Sequence, residues 1–247
     1  MGNQLESLHQ IALEAGKAIM ALYHTQVEVT EKDDRSPVTA ADLAANTIIM
    51  EKLALLTPDI PIVSEESAQT PWSERKDWRA FWLVDPLDGT KEYLRKNGEF
   101  TVNIALIENG RPVLAVVHAP ALEISWLGNG SQAWSVTNDE WSPIKTEAAQ
   151  IPVIVGSRSH PSPLLADYLA QFPLYKMKEA GSSLKFCLVA EGKAQFYPRL
   201  GPTMMWDTAA GQCIAESAGG QVKTLDGVPL SYHREDLLNP FFVVSYL

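Results

Sequence analysis

Cysteine is scarce: the 247 residues hold two, Cys187 and Cys213. Both fall in apolar stretches with helical spacing. That argues against a disulfide framework and predicts reduced core thiols in a reducing compartment. Positive charge is also in deficit, with 20 Lys and Arg against 30 Asp and Glu and a formal net charge of −10. A nucleic-acid polymer as partner would call for a basic face, so that class is set aside. A small anionic substrate is not excluded, because bound metal ions can reverse the local charge. No apolar run approaches the roughly 20 residues of a membrane-spanning helix. The start, Met1-Gly2-Asn3-Gln4-Leu5-Glu6, lacks the basic residues and apolar core of a secretory signal. These absences predict a cytoplasmic location, although a peripheral contact with the inner face of the cell membrane would leave no such mark. Internal repeats and low-complexity segments are lacking too.

What is present is an ordinary globular composition, 46% hydrophobic, with a length that suits one large domain or two small ones. Residues 5–23 place Leu5, Leu8, Ile11, Ala12, Ala15, Ile19 and Leu22 at helical spacing. A charged loop from Glu31 to Ser36 follows. Thr39 to Asp42 starts a second helix running to about Leu56, with Pro58 beyond its end. Ile60 to Val63 reads as a short strand, Ala68 to Arg79 as a mobile polar loop, and Phe81 to Val84 as a buried strand. Thr101 to Ile107, Asn109-Gly110 and Pro112 to Val117 form a hairpin pattern. Ile124 to Leu127 and Ala133 to Val136 extend the sheet through a turn at Gly128-Asn129-Gly130. The first half thus predicts two helices on an antiparallel sheet.

Pro143 to Gln150 marks the expected boundary, giving units 1–148 and 149–247. Strands and helices then alternate: a strand at Val153 to Val155, a helix at Pro163 to Ala170, and a strand at Tyr175 to Met177. A helix at Ser182 to Ala190, a strand at Ala194 to Tyr197, a helix from Asp207 to Ser217 closed by Gly219-Gly220, and a final strand from Phe241 to Tyr246 complete the second half.

The whole is organised around Val84-Asp85-Pro86-Leu87-Asp88-Gly89-Thr90. Two carboxylates lie three residues apart where a strand gives way to a turn and a helix. Pro86 fixes one backbone angle and Gly89 permits a conformation that other residues resist. The Leu87 carbonyl has no obvious ladder partner there. Converging hard oxygens are what Mg²⁺ prefers, and the amides of Gly89 and Thr90 suit phosphate. Glu65, after one strand, and Asp207, at the start of a late helix, are the further acids that could share an ion. Each has an ordinary alternative: a turn dipeptide for Asp88-Gly89, a solvated turn for Glu65, an N-cap for Asp207 and a capping box for Asp42.

Three segments, Glu65-Glu66, Asp85-Pro86-Leu87-Asp88-Gly89-Thr90 and Trp206-Asp207, resemble in order and spacing the signatures of the inositol monophosphatase superfamily. The resemblance extends from the first helix to the last strand. It implies a layered α/β/α/β/α sandwich with its site between the halves. It also implies an Mg²⁺-dependent, lithium-sensitive phosphomonoesterase using two ions, with a third, weaker one near the attacking water. By position, Glu65, Asp85 and the Leu87 carbonyl would hold the first ion, and Asp85, Asp88 and Asp207 the second. Thr90 and Asp42 match the pair that orients the water and takes its proton. Glu66 matches a supporting glutamate.

Four further stretches are most similar to the branch of that family that cleaves nucleotide bisphosphates. They are Asp85 to Tyr93, Ser157 to His160, Gly181 to Cys187 and Tyr197 to Thr203. The resemblance implies hydrolysis of adenosine 3′,5′-bisphosphate to AMP and phosphate, and of 3′-phosphoadenylyl sulfate to adenylyl sulfate. An inositol or sugar phosphatase is the alternative. A substrate with a second phosphate needs a second cation. Lys185, just after Gly181-Ser182-Ser183, is the candidate, with a solvated helix lysine as its plain alternative. The substrate set expected from the resemblance and these stretches is Glu65, Leu87, Asp88, Gly89, Thr90, His160, Ser182, Ser183, Lys185 and Asp207. Arg158 and Arg199 are weaker candidates, and Met204-Met205 departs from the family pattern.

Overall fold

The computed structural model describes residues 2–24, 29–31, 37–157 and 164–247. Seven helices and fourteen strands are present among them. Helix α1 (Gly2–Tyr23) leads to strands β1 (Val29–Glu31) and β2 (Pro37–Thr39), then helix α2 (Ala40–Leu56). Strand β3 (Ile62–Ser64), helix α3 (Trp72–Arg75), strand β4 (Ala80–Asp88) and helix α4 (Thr90–Leu94) follow. A meander of β5 (Thr101–Glu108), β6 (Arg111–Ala119), β7 (Ile124–Gly128), β8 (Ala133–Thr137) and β9 (Glu140–Ile144) completes a seven-stranded sheet in chain order. It is antiparallel except for β3 on β4.

The second sheet uses β10 (Val153–Ser157), β11 (Lys176–Ala180), β12 (Phe196–Arg199), β13 (Gln221–Thr224) and β14 (Phe242–Ser245) in the order β11-β10-β12-β14-β13. Helices α5 (Leu165–Leu169), α6 (Leu184–Ala190) and α7 (Met205–Ser217) are threaded among them.

Strand alternation assigns the layers. In β4, Trp82 and Val84 join the core that α1 and α2 build with one face of the large sheet. Phe81 and Leu83 join the other core, which contains α6, α7 and Val155, Val222 and Val244 of the small sheet. Along β10, Val155 faces that second core. Gly156 points the other way, where a Cβ would meet Leu165 of α5 at 3.9 Å. The order is therefore α1/α2, large sheet, α6/α7, small sheet, α5, the expected five-layer sandwich. Helix α7 is apolar on nearly all sides, with Met205, Trp206, Ala209, Ala210, Cys213 and Ile214 buried, because it lies between two sheets. Cys187 and Cys213 are both free and buried in this layer.

Several boundaries differ from expectation. Strands β9 and β13 were not anticipated, their alternation being broken by Pro143 and by short length. The stretch from Ala68 to Arg79 is not a mobile loop. It contains α3, and Arg75 is buried with Nε donating to the Thr70 carbonyl at 2.8 Å. Its terminal nitrogens reach the carbonyls of Arg234 and Glu235. A buried guanidinium must satisfy its donors, and two of its three partners lie some 160 residues away, so no local pattern signals the order. The charged loop from Glu31 to Ser36 falls, beyond Glu31 in β1, outside the described residues, and the helix expected from Pro163 is observed as α5, from Leu165 to Leu169.

Candidate metal and phosphate centre

The expected capping box is present at the start of α2. Thr39 is the N-cap, its hydroxyl accepting from the Ala41 amide at 3.2 Å. The Asp42 carboxylate, three residues on, accepts from the Thr39 amide at 2.8 Å and from the Thr39 hydroxyl at 2.6 Å, both through Oδ2. Its other oxygen, Oδ1, accepts from the Thr90 hydroxyl at 3.3 Å. Capping and the Thr90 contact therefore coexist on one side chain. Burial raises the Asp42 pKa, against the two Thr39 hydrogen bonds. One turn further along α2, Asn46 accepts from Ser64 Oγ at 2.7 Å, tying the helix to the residue before Glu65.

The central segment differs in kind from a strand that ends in a turn. Strand β4 continues to Asp88, and its register on β5 shifts between Asp85 and Asp88. Asp85 pairs with Asn103 and Asp88 with Thr101, so Pro86 and Leu87 together oppose Val102. This is a β-bulge, and it places a proline where a missing N–H costs no ladder bond. The Leu87 amide, freed from the ladder, donates to Asp85 Oδ1 at 3.1 Å. In a regular strand, residues three apart would face opposite sides. The extra residue restores both aspartates to one face, the face of Phe81 and Leu83 that looks toward α7. Gly89 then takes φ +91° as the N-cap of α4. A Cβ there would lie 2.1 Å from Ser182 Oγ.

Asp207 comes in from α7. The ordinary alternative of an N-cap does not hold, because Asp207 is the third helical residue: Met204 is the cap, and its amide donates to Asp207 Oδ2 at 2.8 Å. Helix entry begins earlier because Met205 and Trp206 bury into the inter-sheet core. Ligand oxygens of Glu65, Asp85 and Asp207 all lie within 4.8 Å of one another. Asp88 sits beside this trio but outside it. Its Oδ2 is in reach of the Ser183 hydroxyl at 3.2 Å and of the Asn103 amide at 3.4 Å.

Burial first, and then Glu65, Asp88 and Asp207, hold the Asp85 carboxyl well above its usual range. Burial and then Asp88 do the same for Asp207. Asp88 is raised less, because Lys185, Ser183 and Asn103 oppose its burial. A crowd of all-oxygen donors that repel one another is relieved by a hard divalent cation placed among them. These residues therefore fit a metal on their own chemistry.

The remaining expected residues are placed as follows. Helix α6 begins at Leu184, so Ser182 and Ser183 precede it, Ser182 with φ +45°. The Ser182 hydroxyl lies 2.8 Å from the Asp88 carbonyl and 2.7 Å from the Glu99 carbonyl. Ser183 is buried, and its hydroxyl also reaches the Asp207 carbonyl at 2.8 Å. Lys185 is not a solvated helix lysine. It is 5% exposed, its ammonium donates to the Ala180 and Ser182 carbonyls, and it lies 5.5 Å from the centre of the Tyr197 ring. Burial lowers its pKa to about 8 despite the nearby Asp88. Those carbonyls take two of its three donors. Arg199 donates to the Pro202 carbonyl at 2.7 Å. His160 and Arg158 lie outside the described residues. Asn103 and Thr101 were not anticipated at all. Both sit within an apolar strand pattern, and nothing local distinguishes them from ordinary satisfied polar residues.

The family model for the inositol monophosphatase family matches residues 3–241. The chain is 51% identical to the 3′(2′),5′-bisphosphate nucleotidase CysQ of Salmonella typhimurium, over 98% of this chain and 99% of that protein. It is 50% identical to the protein of the same name from Escherichia coli K12, with the same coverage. Among solved structures, CysQ from Bacteroides thetaiotaomicron, described as a bacterial member of the inositol monophosphatase family, superposes with a TM-score of 0.87. That structure is 38% identical over 98% of this chain and 97% of its own.

Proposed function

The chain belongs to the inositol monophosphatase family, and from that premise we propose that it is a metal-dependent 3′(2′),5′-bisphosphate nucleotidase. It hydrolyses adenosine 3′,5′-bisphosphate to AMP and phosphate, and 3′-phosphoadenylyl sulfate to adenylyl sulfate. Full-length relatives bearing that name at about half identity support the substrate class. The observation that carries the chemistry is the convergence of Glu65, Asp85 and Asp207 within 4.8 Å.

Glu65, Asp85, the Leu87 carbonyl, Asp88 and Asp207 would hold two Mg²⁺ ions, with a third helping at the water. When bound, the ions neutralise phosphate charge and lower the pKa of water towards neutrality. Water attacks the 3′-phosphorus, and the bond from phosphorus to the ribose 3′-oxygen breaks. That oxygen takes a proton from solvent water and leaves as the 3′-hydroxyl of AMP. Thr90 would accept from the attacking water while donating to Asp42, so the proton ends on a carboxylate whose basicity burial has raised. The proton held by Asp42 returns to solvent afterwards. The amides of Gly89 and Thr90 would face the phosphate being cleaved. Ser182, Ser183, Lys185 and His160 would serve the nucleotide side, with the remaining Lys185 donor directed at the 5′-phosphate. The reading assigns residues 1–148 to the part bearing most ligands and 149–247 to the part bearing Asp207 and the substrate contacts. It places the enzyme in the cytoplasm, with any membrane association peripheral; no helix among the described residues is long and apolar enough to cross a membrane.

The test is phosphate release from adenosine 3′,5′-bisphosphate, 3′-phosphoadenylyl sulfate and inositol 1-phosphate, with Mg²⁺, after chelation and with added Li⁺. The expected result is Mg²⁺-dependent, Li⁺-suppressed turnover that prefers the two nucleotides. Faster cleavage of inositol 1-phosphate would overturn the substrate assignment. Full turnover after exhaustive chelation would overturn the metal one.

A further inference from the structure

Three buried polar residues, two on β5 and one just before α6, meet beside Asp88 behind the acidic cluster. Asn103 and Thr101 lie on β5, on the face turned toward α7, as the cross-strand partners of Asp85 and Asp88. Ser183 lies just before α6. Asn103, Thr101 and Ser183 are each at most 1% exposed. Their donors and acceptors leave little choice of arrangement. Thr101 Oγ1 donates to Asn103 Oδ1 at 2.9 Å, which turns the Asn103 amide nitrogen toward the cluster. That nitrogen donates to Ser183 Oγ at 3.0 Å and lies 3.4 Å from Asp88 Oδ2. The reverse orientation would press a carbonyl oxygen against the Asp88 carboxylate. A serine hydroxyl has one proton. Ser183 has two acceptors within reach, the Asp207 carbonyl at 2.8 Å and Asp88 Oδ2 at 3.2 Å. When the proton goes to the shorter contact, the Asn103 amide is the neutral side-chain donor left to Asp88 Oδ2.

We propose that Asn103 is a positioning residue: with Thr101 and Ser183 it fixes one oxygen of Asp88, turns the other toward Glu65, Asp85 and Asp207, and couples Asp88 to the start of α7. The inference deepens the proposed function and rests on its assignment of Asp88 as a ligand. Asn103 itself touches neither ion nor substrate. Its effect runs through the carboxylate it holds, as the hydrogen-bonded partners of metal ligands generally act. The arrangement also gives the Asp85–Asp88 spacing its meaning. The bulge brings both acids to one face, and there Asn103, the β5 residue opposite Asp85, has its amide within reach of Asp88.

The experiment uses the full chain, stripped of divalent ions and titrated with Mn²⁺ alone, with free Mn²⁺ read by electron paramagnetic resonance. Melting of the stripped protein and hydrolysis of adenosine 3′,5′-bisphosphate are measured on the same preparations. Asn103→Leu is expected to weaken Mn²⁺ binding by about 10- to 100-fold, the range seen when a ligand's hydrogen-bond partner is removed. Thr101→Val keeps the volume and the amide but removes the group that orients it, and should weaken binding by a smaller factor. Should Asn103→Leu fail to fold, Thr101→Val decides the matter. Variants that melt earlier but bind Mn²⁺ as the parent does would make the network structural and overturn the proposal alone. A parent chain that binds no Mn²⁺ would overturn the functional reading, and the proposal with it.

Discussion

Asp42 shows how one side chain answers to two neighbours. Oδ2 completes the cap of α2, and Oδ1 meets Thr90 across 48 residues of sequence. The cap is a matter of three-residue spacing and was legible; the Thr90 contact was reached only through family resemblance. Asp42→Asn keeps an oxygen for the Thr39 amide but cannot take a proton. It should lower kcat by about 10²- to 10⁴-fold, the usual span for a general base, with melting nearly unchanged. Normal turnover in a folded variant would reduce Asp42 to a capping residue. A second pair of side chains bears on stability instead. His9 and His118 both reach Ser125 Oγ at 2.9 Å, under α1. Burial lowers the His118 pKa from 6.5 to about 4, with His9 adding to the shift and the Ile124 carbonyl opposing it. Burial lowers the His9 pKa as well, against the opposing charge of Asp139. Below pH 6.5 the unfolded chain takes up a proton that the folded chain refuses. Stability is therefore full above pH 6.5 and falls as pH drops toward 4, by about 1.4 kcal/mol per unit. From pH 7.5 to 5 the parent should lose about 2 kcal/mol more than His118→Gln in urea unfolding. The comparison cancels the buried carboxylates, whose raised pKa values act with the opposite sign. Equal losses in the two proteins would rule out His118 as the source.

At the scale of elements, the β4 bulge and the Gly89 turn do most to shape the centre. Gly89 at φ +91° lies so close to Ser182 that a methyl group would sit 2.1 Å from its hydroxyl oxygen. Gly89→Ala therefore meets both a strained backbone, worth about 1–3 kcal/mol, and a collision with the residue that bonds the Asp88 carbonyl. The expected outcome is a lower denaturation midpoint together with a larger loss of hydrolysis than the stability change explains. A variant with parental midpoint and rate would mean the turn tolerates a side chain. The sequence named Gly89 for its conformational freedom, but the Ser182 approach comes from an element nearly a hundred residues away. Helix α7 illustrates the same division. Its run of apolar residues and closing glycines marked it as a helix. Asp207, expected to open it, stands third because burial of Met205 and Trp206 between two sheets extends the helix backward.

For the molecule as a whole, the centre lies between the large sheet and the start of α7, with three acids from the sheet side and one from the helix. Glu65 follows β3, Asp85 and Asp88 lie on β4, and Asp207 is in the first turn of α7, so an ion held by all of them would tie the large sheet to α7. Ligand binding to the folded state alone stabilises it by about 2.7 kcal/mol at a hundred times the dissociation constant. For a chain of this length that corresponds to about 5–10 °C in Tm. Mg²⁺ added to stripped protein should therefore raise the melting temperature, and Asp207→Asn should shrink that rise. An Mg²⁺-independent melting curve would argue against an ion at this position.

The sequence by itself determined what depends on near neighbours: the helix periodicities, the hairpin at Asn109-Gly110, the Thr39–Asp42 cap, and the acids and turn residues of the three motifs. Composition set aside a nucleic-acid polymer as partner without excluding a small anionic substrate. The tertiary structure decided what depends on register and distant contact. A bulge at Pro86-Leu87 turned Asp85 and Asp88 to the same face, which spacing in a regular strand forbids. It buried Lys185 against backbone carbonyls, where a surface helix would have left it in water. It also put Asn103, an unremarkable residue in an apolar strand, within reach of Asp88 and Ser183. Local patterns reflect backbone geometry that repeats over a few residues, whereas register and burial are fixed by contacts between elements, which a linear pattern does not record.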